Sequence, residues 1–344
     1  MHIKSRDSSS SARPGPRDDS MAMGGHRAFA GNPGIAIVGT GTAARAHVEA
    51  LRLVGLPAPI WVVARSVGQA RSFASASGIQ KWTDDLRIAL EDRTVGMVVV
   101  ATPSPQHAGQ AVEALRADKH VVVEIPVALS APEAESVMDV AAASGRRVFV
   151  CHTLRSLPAM REVKRRVEMG DAKLSQVTGF FSVPRRDNEG RTGTRSWVDS
   201  LLWHHACHQV DASLWVLGFP TVRHIAAVEG RRHERYGMAL DIGLVALTDL
   251  GQVITHSLSY NTSVLHWELR FMGDRANLVF RNGALIDERG TEIVPETPIL
   301  DFRGIWSDVL DALMTGEASA FDLESIIPSM RVLQGAEDAM RVGR

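Results

Sequence analysis

The chain of 344 residues is nearly free of cysteine: Cys151 and Cys207 are the only two. Two thiols cannot build a disulfide framework, so a reducing cytosol is the expected compartment and the fold must rest on its core. No apolar run approaches the ~20 residues that span a bilayer, and residues 1–33 lack the continuous apolar stretch of a secretory signal. Excess charge is missing as well. With 38 basic and 39 acidic residues the formal net charge is −1, which gives no general attraction toward nucleic acid or an anionic membrane. What remains is 45% hydrophobic residues, enough for a full core in a chain long enough for two domains. A soluble globular protein with a small-molecule partner is expected. Residues 1–33, rich in Ser, Gly, Pro and mixed charge, read as a disordered tail, with Met21 and Met23 as alternative starts.

From residue 34 to 152 short β-branched runs alternate with amphipathic segments. The runs are 34–38, 60–63, 96–101, 120–124 and 147–151, and helical patterns fill 43–54, 67–77, 105–117 and 131–144. Strands apolar on both faces and separated by helices predict a parallel sheet covered on both sides, a doubly wound α/β domain. Beyond residue 153 the texture changes to strands that follow one another directly, at 174–183, 221–228, 238–247, 253–260, 265–272 and 276–281, with turns at Gly273-Asp274 and Asn282-Gly283. That order predicts a second, α+β domain over 153–344 with a large open, mainly antiparallel sheet. A helix over 199–217 lies across it, and helices near 301–315 and 322–341 close the chain.

The first strand runs into GTGTAARAH, residues 39–47. In this G-x-G-x-x-A pattern Gly39 allows a tight turn, Gly41 lets backbone approach a pyrophosphate, and Ala44 lets the helix pack closely on the strand. Between a strand and a helix the pattern marks dinucleotide binding, with Gly39, Gly41, Thr42, Ala43 and Ala44 at the cofactor. An acidic residue, the usual partner of a ribose 2′-hydroxyl, is absent from the end of the second strand. Arg65 and Ser66 stand there instead, and a guanidinium beside a hydroxyl suits a 2′-phosphate, so NADP is favoured with NAD as the alternative.

Three further segments, VATPSPQHAGQAVEAL at 100–115, KHVVVEIP at 119–126 and HQVD at 208–211 followed by SLWVLG, complete an order that resembles the glucose-fructose oxidoreductase / inositol dehydrogenase (Gfo/Idh/MocA) family from residue 34 onward. The resemblance implies that Thr102, Pro103 and His107 lie near the cofactor, that Glu124 and Pro126 frame the nicotinamide with Ile125 between them, and that His208 is the active-site histidine, followed by Asp211. It also implies a homodimer or homotetramer. Two positions depart from the family pattern. The usual E-K-P reads E-I-P, with Ile125 in place of the lysine, and the usual aspartate four residues before the histidine is His204. These departures, with VCHTLR and the paired histidines, resemble one branch of the family, which uses NADP to oxidise the cyclic hemiacetal of a carboxylated semialdehyde to a lactone in aromatic catabolism.

That chemistry needs a base for a hydroxyl proton, and an imidazole is suited to it near neutral pH. On an α-helix His204, His208 and Asp211 share a face, with His205 at its edge. Ile125 cannot take a proton, so the histidine face becomes the home of the base. His208 is the expected general base, with His204 as orienting partner or alternate base and His205 as a carboxylate ligand. A carboxylated substrate calls for guanidinium forks, and Arg155, Arg185, Arg186 and Arg195, with Trp197, are the candidates. No metal is expected: H-x-x-x-H on a helix can bind zinc, yet no third ligand stands at motif spacing. Cys207 falls on a different helical face and reads as a packing residue. The alternatives are a sugar or cyclitol dehydrogenase in which a histidine replaces the lysine, and a catalytically silent NADP-binding sensor.

Overall fold

The structure, a computed structural model, describes residues 34–185, 200–275 and 277–342, and the backbone of 189–190 and 193–194. The tail over 1–33 lies outside the described residues. Among those described, no helix is long and apolar enough to cross a membrane.

Six short strands form the first sheet: β1 (Gly34–Val38), β2 (Trp61–Val63), β3 (Lys81–Thr83), β4 (Val95–Val100), β5 (His120–Val123) and β6 (Val148–Val150). Their order is β3-β2-β1-β4-β5-β6, all pairs parallel. Helices α1 (Thr42–Leu53), α2 (Val67–Ser77), α3 (Leu86–Glu91), α4 (His107–Arg116) and α5 (Ala131–Ser144) connect them. The apolar runs are buried on both faces, as predicted: Ala36, Val38, Val98 and Val100 turn into one core, and Ile35, Ile37, Met97 and Val99 into the other. Helix ends follow side-chain chemistry. Ser66 and Ser130 accept backbone N–H bonds at the starts of α2 and α5, and Gly78 and Gly145, at φ 69° and 64°, end them. The strand order reverses between β1 and β4, which opens a crevice at their carboxyl ends.

After α6 (Pro158–Glu168) comes the second sheet, built from β7 (Leu174–Ser182), β10 (Val222–Glu229), β11 (Asp241–Thr248), β12 (Val253–Ser259), β13 (His266–Gly273), β14 (Asn277–Arg281), β15 (Ala284–Asp287) and β16 (Glu292–Val294). A two-residue pair, β8 (Glu189–Gly190) with β9 (Gly193–Thr194), stands apart. The eight-stranded order is β10-β11-β12-β7-β13-β14-β15-β16, antiparallel except where β12 meets β7. Asn282 and Gly283 join β14 to β15 with φ of 48° and 103°, the left-handed pair that a tight hairpin demands. One face of the sheet carries α7 (Cys207–Val216) and α9 (Leu323–Val342). The other exposes Phe180, Val245 and Leu247.

Two features differ from expectation. The helix predicted over 199–217 is a π-helical turn, Leu201–Ala206, running into α7. And the segment after the second sheet returns to the first: Phe302 with Ile305, Trp306 and Val309 of α8 (Arg303–Thr315), and then Phe321, pack with Ile37, Leu51 and Phe149. A boundary at 152/153 assigns these residues to the second domain, yet they bury their apolar surface against the first sheet.

Candidate active site

A cavity of about 1340 Å³ opens at the crevice and runs from the glycine turn to the π-helical turn. At its first end the backbone of Gly39 turns at φ 116°, and a Cβ there would lie 2.2 Å from the Ala101 carbonyl oxygen. Only glycine fits. Gly41 caps α1 without a side-chain hydrogen bond, and a Cβ on it would meet nothing within 4 Å. No acidic residue occupies the first turn of α1. The helix N-terminus therefore offers bare N–H groups and its positive dipole end to an anion, and the residues fit a dinucleotide pyrophosphate. Thr42 and Ala43 line the cavity beside this turn, and Ala44 is buried beneath it.

Arg65 lines the rim together with Arg45, whose guanidinium lies 5.3 Å from the centre of the Phe73 ring, and with Asp84. Ser66 is engaged in capping α2 through Gln69. Thr102 and Pro103 line the middle of the cavity. His107 acts beneath them: Nε2 meets the Thr102 carbonyl at 2.7 Å and Nδ1 the Pro126 carbonyl at 2.8 Å, tying the loop after β4 to the loop after β5. Glu124 reaches the cavity and pairs with Nε2 of buried His47 at 2.8 Å, and Ile125 packs beside it.

His204, His205 and His208 line the other end together. His204 and His205 stand in the π-helical turn and His208 one residue into α7, so an i, i+1, i+4 set presents three imidazoles to one cavity. The His205 ring stacks on Phe181 at 4.5 Å, and its Nδ1 lies 2.6 Å from the Tyr260 hydroxyl. Burial, and then the neighbouring His204 and Arg185, hold its pKa well below the usual imidazole range. His208 lies edge-on to Trp267 at 5.3 Å and to His152 at 6.1 Å. Burial first, then His152 and His204, push it down to about 3. Among the described residues, His208 Nδ1 and the Trp267 indole nitrogen are buried without hydrogen-bond partners. Burial raises the pKa of Cys207, which donates to the His204 carbonyl and packs as expected.

Arg155 requires a correction. It is not placed to clamp a substrate, because it is fully buried and its guanidinium is consumed: Nε and Nη2 bind Asp211 at 2.7 and 2.5 Å, and Nη1 binds the Ala320 carbonyl and the Ser325 hydroxyl. Asp211 accordingly faces Arg155, Ser329 and His152, not the cavity. Burial alone would raise the Asp211 pKa, but Arg155 and His152 hold it below the usual carboxylate value. Arg185 is half-buried, 5.7 Å from the Tyr260 ring centre and beside His205. Arg186, Arg195 and Trp197 lie outside the described residues.

Sequence reasoning does not find His47, Cys151 and Trp306, which meet beneath Glu124, or Trp267, which lines the histidine end, or His152 and Tyr260, which pack against His208 and His205. His47 ends the GTGTAARAH segment, and that is its only signal in the sequence. Among the described residues His47, Glu124 and Cys151 form the one group of three candidate metal ligands, within 4.8 Å of one another. The Trp306 indole N–H donates to His47 Nδ1 at 3.1 Å. Neutral His47 therefore carries its proton on Nε2, where it serves the Glu124 carboxylate and offers no lone pair to a cation.

The strand order, the open glycine turn and the titratable far wall together define an NAD(P)-dependent dehydrogenase. Two family models match the chain: an oxidoreductase family with an NAD-binding Rossmann fold over residues 34–152, and the C-terminal domain of bacterial oxidoreductases over residues 158–295. The chain belongs to this Gfo/Idh/MocA oxidoreductase family. It is 33% identical over 257 residues, 73% of this chain and 80% of the other, to a 4-carboxy-2-hydroxymuconate-6-semialdehyde dehydrogenase of Sphingobium sp. strain SYK-6. An inositol 2-dehydrogenase of Rubrobacter xylanophilus is 28% identical over 53% of this chain and 52% of its own. The fold is shared with GenD2 from gentamicin A biosynthesis, a crystal structure in complex with NAD, at a TM-score of 0.77 and 21% identity over 91% of this chain and 95% of that one.

Proposed function

We propose that this dehydrogenase oxidises the cyclic hemiacetal of a carboxylated semialdehyde, 4-carboxy-2-hydroxymuconate-6-semialdehyde, to the lactone 2-pyrone-4,6-dicarboxylate in aromatic catabolism, with NADP and with His208 as base. The observation that carries the reading is the far wall of the cavity: His204, His205 and His208 line it, and Ile125 supplies no proton acceptor. The similarity to the Sphingobium enzyme supports the substrate. When bound, the nicotinamide supplies the two-electron acceptor that turns a carbinol carbon into a carbonyl. Gly39 to Ala43 would hold the pyrophosphate, and Arg65 with Arg45 a 2′-phosphate.

The protein's own part is to orient the hemiacetal and remove its hydroxyl proton. His208 is neutral throughout the physiological range because burial and its neighbours disfavour a cation there. That makes it available as a base but a weak one. An anionic substrate in the same cavity reverses the local balance and raises its proton affinity as the complex forms. His205, bridged to Tyr260, and Arg185 beside it form the anion-binding wall, and His204 orients or substitutes for the base. The dehydrogenase class sets aside the catalytically silent alternative. A sugar or cyclitol dehydrogenase remains the second reading, favoured by the inositol dehydrogenase relative. A homodimer or homotetramer assembled on the outer face of the second sheet, and a cytoplasmic location, belong to the same proposal.

The test follows nicotinamide absorbance with the carboxylated semialdehyde and with a panel of aldoses and cyclitols, each with NADP and NAD. Turnover of the semialdehyde at a kcat/KM about 100-fold above any sugar, and higher with NADP, is expected from carboxylate recognition. A sugar or cyclitol used equally well would overturn the substrate reading, and a preference for NAD would overturn the cofactor reading.

A further inference from the structure

Beneath the cavity four side chains from distant parts of the chain meet in one hydrogen-bonded row. Trp306, on α8, is fully buried and donates its indole N–H to His47 Nδ1 at 3.1 Å. An indole nitrogen can only donate, so Nδ1 accepts and the ring proton sits on Nε2. Nε2 lies 2.8 Å from Glu124 Oε1 and 3.9 Å from the Cys151 sulfur. The His47 ring is further fixed by Phe302 at 4.3 Å. Glu124 follows β5 at the carboxyl edge of the sheet and lines the cavity between the glycine turn and the histidine end. A dinucleotide held with its pyrophosphate at the turn and its reacting end at the histidines would share this cavity with the carboxylate.

We infer that Trp306 and His47 are positioning residues that hold Glu124 as a fixed negative charge facing the cavity, and that this charge biases the site toward the oxidised, positively charged nicotinamide over the reduced, neutral one. An opposite charge in a poorly solvated cavity attracts the oxidised ring, and a neutral ring gains nothing comparable. Fixing the carboxylate before binding means that it need not be reoriented when cofactor arrives, and a neutral His47 donates without cancelling the charge. The inference rests on the dehydrogenase class and is independent of the substrate proposed above.

The experiment measures Kd for NADP+ and NADPH, and in a second series for NAD+ and NADH, on the purified full chain without substrate. In Glu124→Gln the ratio of reduced to oxidised Kd should fall about fivefold or more, the size expected for losing one partly screened charge. Trp306→Phe and His47→Leu should lower the same ratio, by a smaller factor. His47→Gln should restore it, because a carboxamide offers an acceptor to Trp306 and a donor to Glu124 just as this tautomer does. Parallel weakening of both redox forms in Glu124→Gln, or an equal ratio in His47→Leu and His47→Gln, would overturn the inference. The comparison of two substitutions at position 47 decides it even if Trp306→Phe fails to fold. Binding of neither redox form by the wild-type chain would overturn it together with the dehydrogenase assignment, whereas inactivity toward the semialdehyde leaves it standing.

Discussion

Two arginines with the same sequence credentials have opposite fates. Arg155 is spent on Asp211 inside the protein, and Arg185 is half-buried beside His205 and Tyr260. Arg155→Ala leaves a buried carboxylate uncompensated and should cost about 3–5 kcal/mol of stability, read as a lower denaturation midpoint. Arg185→Ala should leave the stability within about 0.5 kcal/mol of wild type and raise KM for the carboxylated substrate but not for NADP. The opposite pattern would exchange their roles. Nothing in the order of residues separates the two, because burial of a guanidinium depends on a partner 56 positions away. The glycine turn was legible for the converse reason: Gly39 and Gly41 act through local backbone. His47 and Trp306 were not, because a contact across 259 positions leaves no spacing to read.

At the scale of elements, the strands buried on both faces and the helices between them were read correctly, since the pattern of each lies within a few residues. The three-residue edge strand β3, the short α3, and β15 and β16 escaped, being too brief to show a period. The π-turn over Leu201–Ala206 escaped for a different reason. Apolar and histidine positions fit an α-helical period just as well, so the sequence pattern carries no sign of the wider turn. The second sheet presents an outer face with Phe180, Val245 and Leu247 exposed, larger apolar exposure than a lone surface residue explains. If copies of the chain assemble there, Val245→Arg should shift the mass found by light scattering from an oligomer to a monomer. A wild-type chain that is already monomeric would contradict the assembly proposal.

For the molecule as a whole, the return of Phe302 to Phe321 onto the first sheet makes the cofactor end of the cavity depend on the last part of the chain. The coarse architecture was legible in the rhythm of strands and helices; this return was not. Buried histidines give the whole fold a common pH response. Burial first pushes His120 and His152 down to about 4 and His208 and His256 to about 3, below an ordinary value of 6.5. Between those values and 6.5 the unfolded chain binds more protons than the folded one, so stability is complete above pH 6.5 and declines as pH falls. Each histidine contributes a loss of up to about 1.4 kcal/mol per pH unit, and the urea midpoint should drop steeply from pH 7 to pH 5; a flat profile would contradict this burial. The central claim is that His208 takes the substrate proton in a cavity without the usual lysine. Single-turnover reduction of NADP by the carboxylated semialdehyde tests it most directly in wild type and His208→Asn. The account predicts a rate about 10²–10⁴ lower in the variant with NADP affinity unchanged, and a near-normal rate in the folded variant would contradict it.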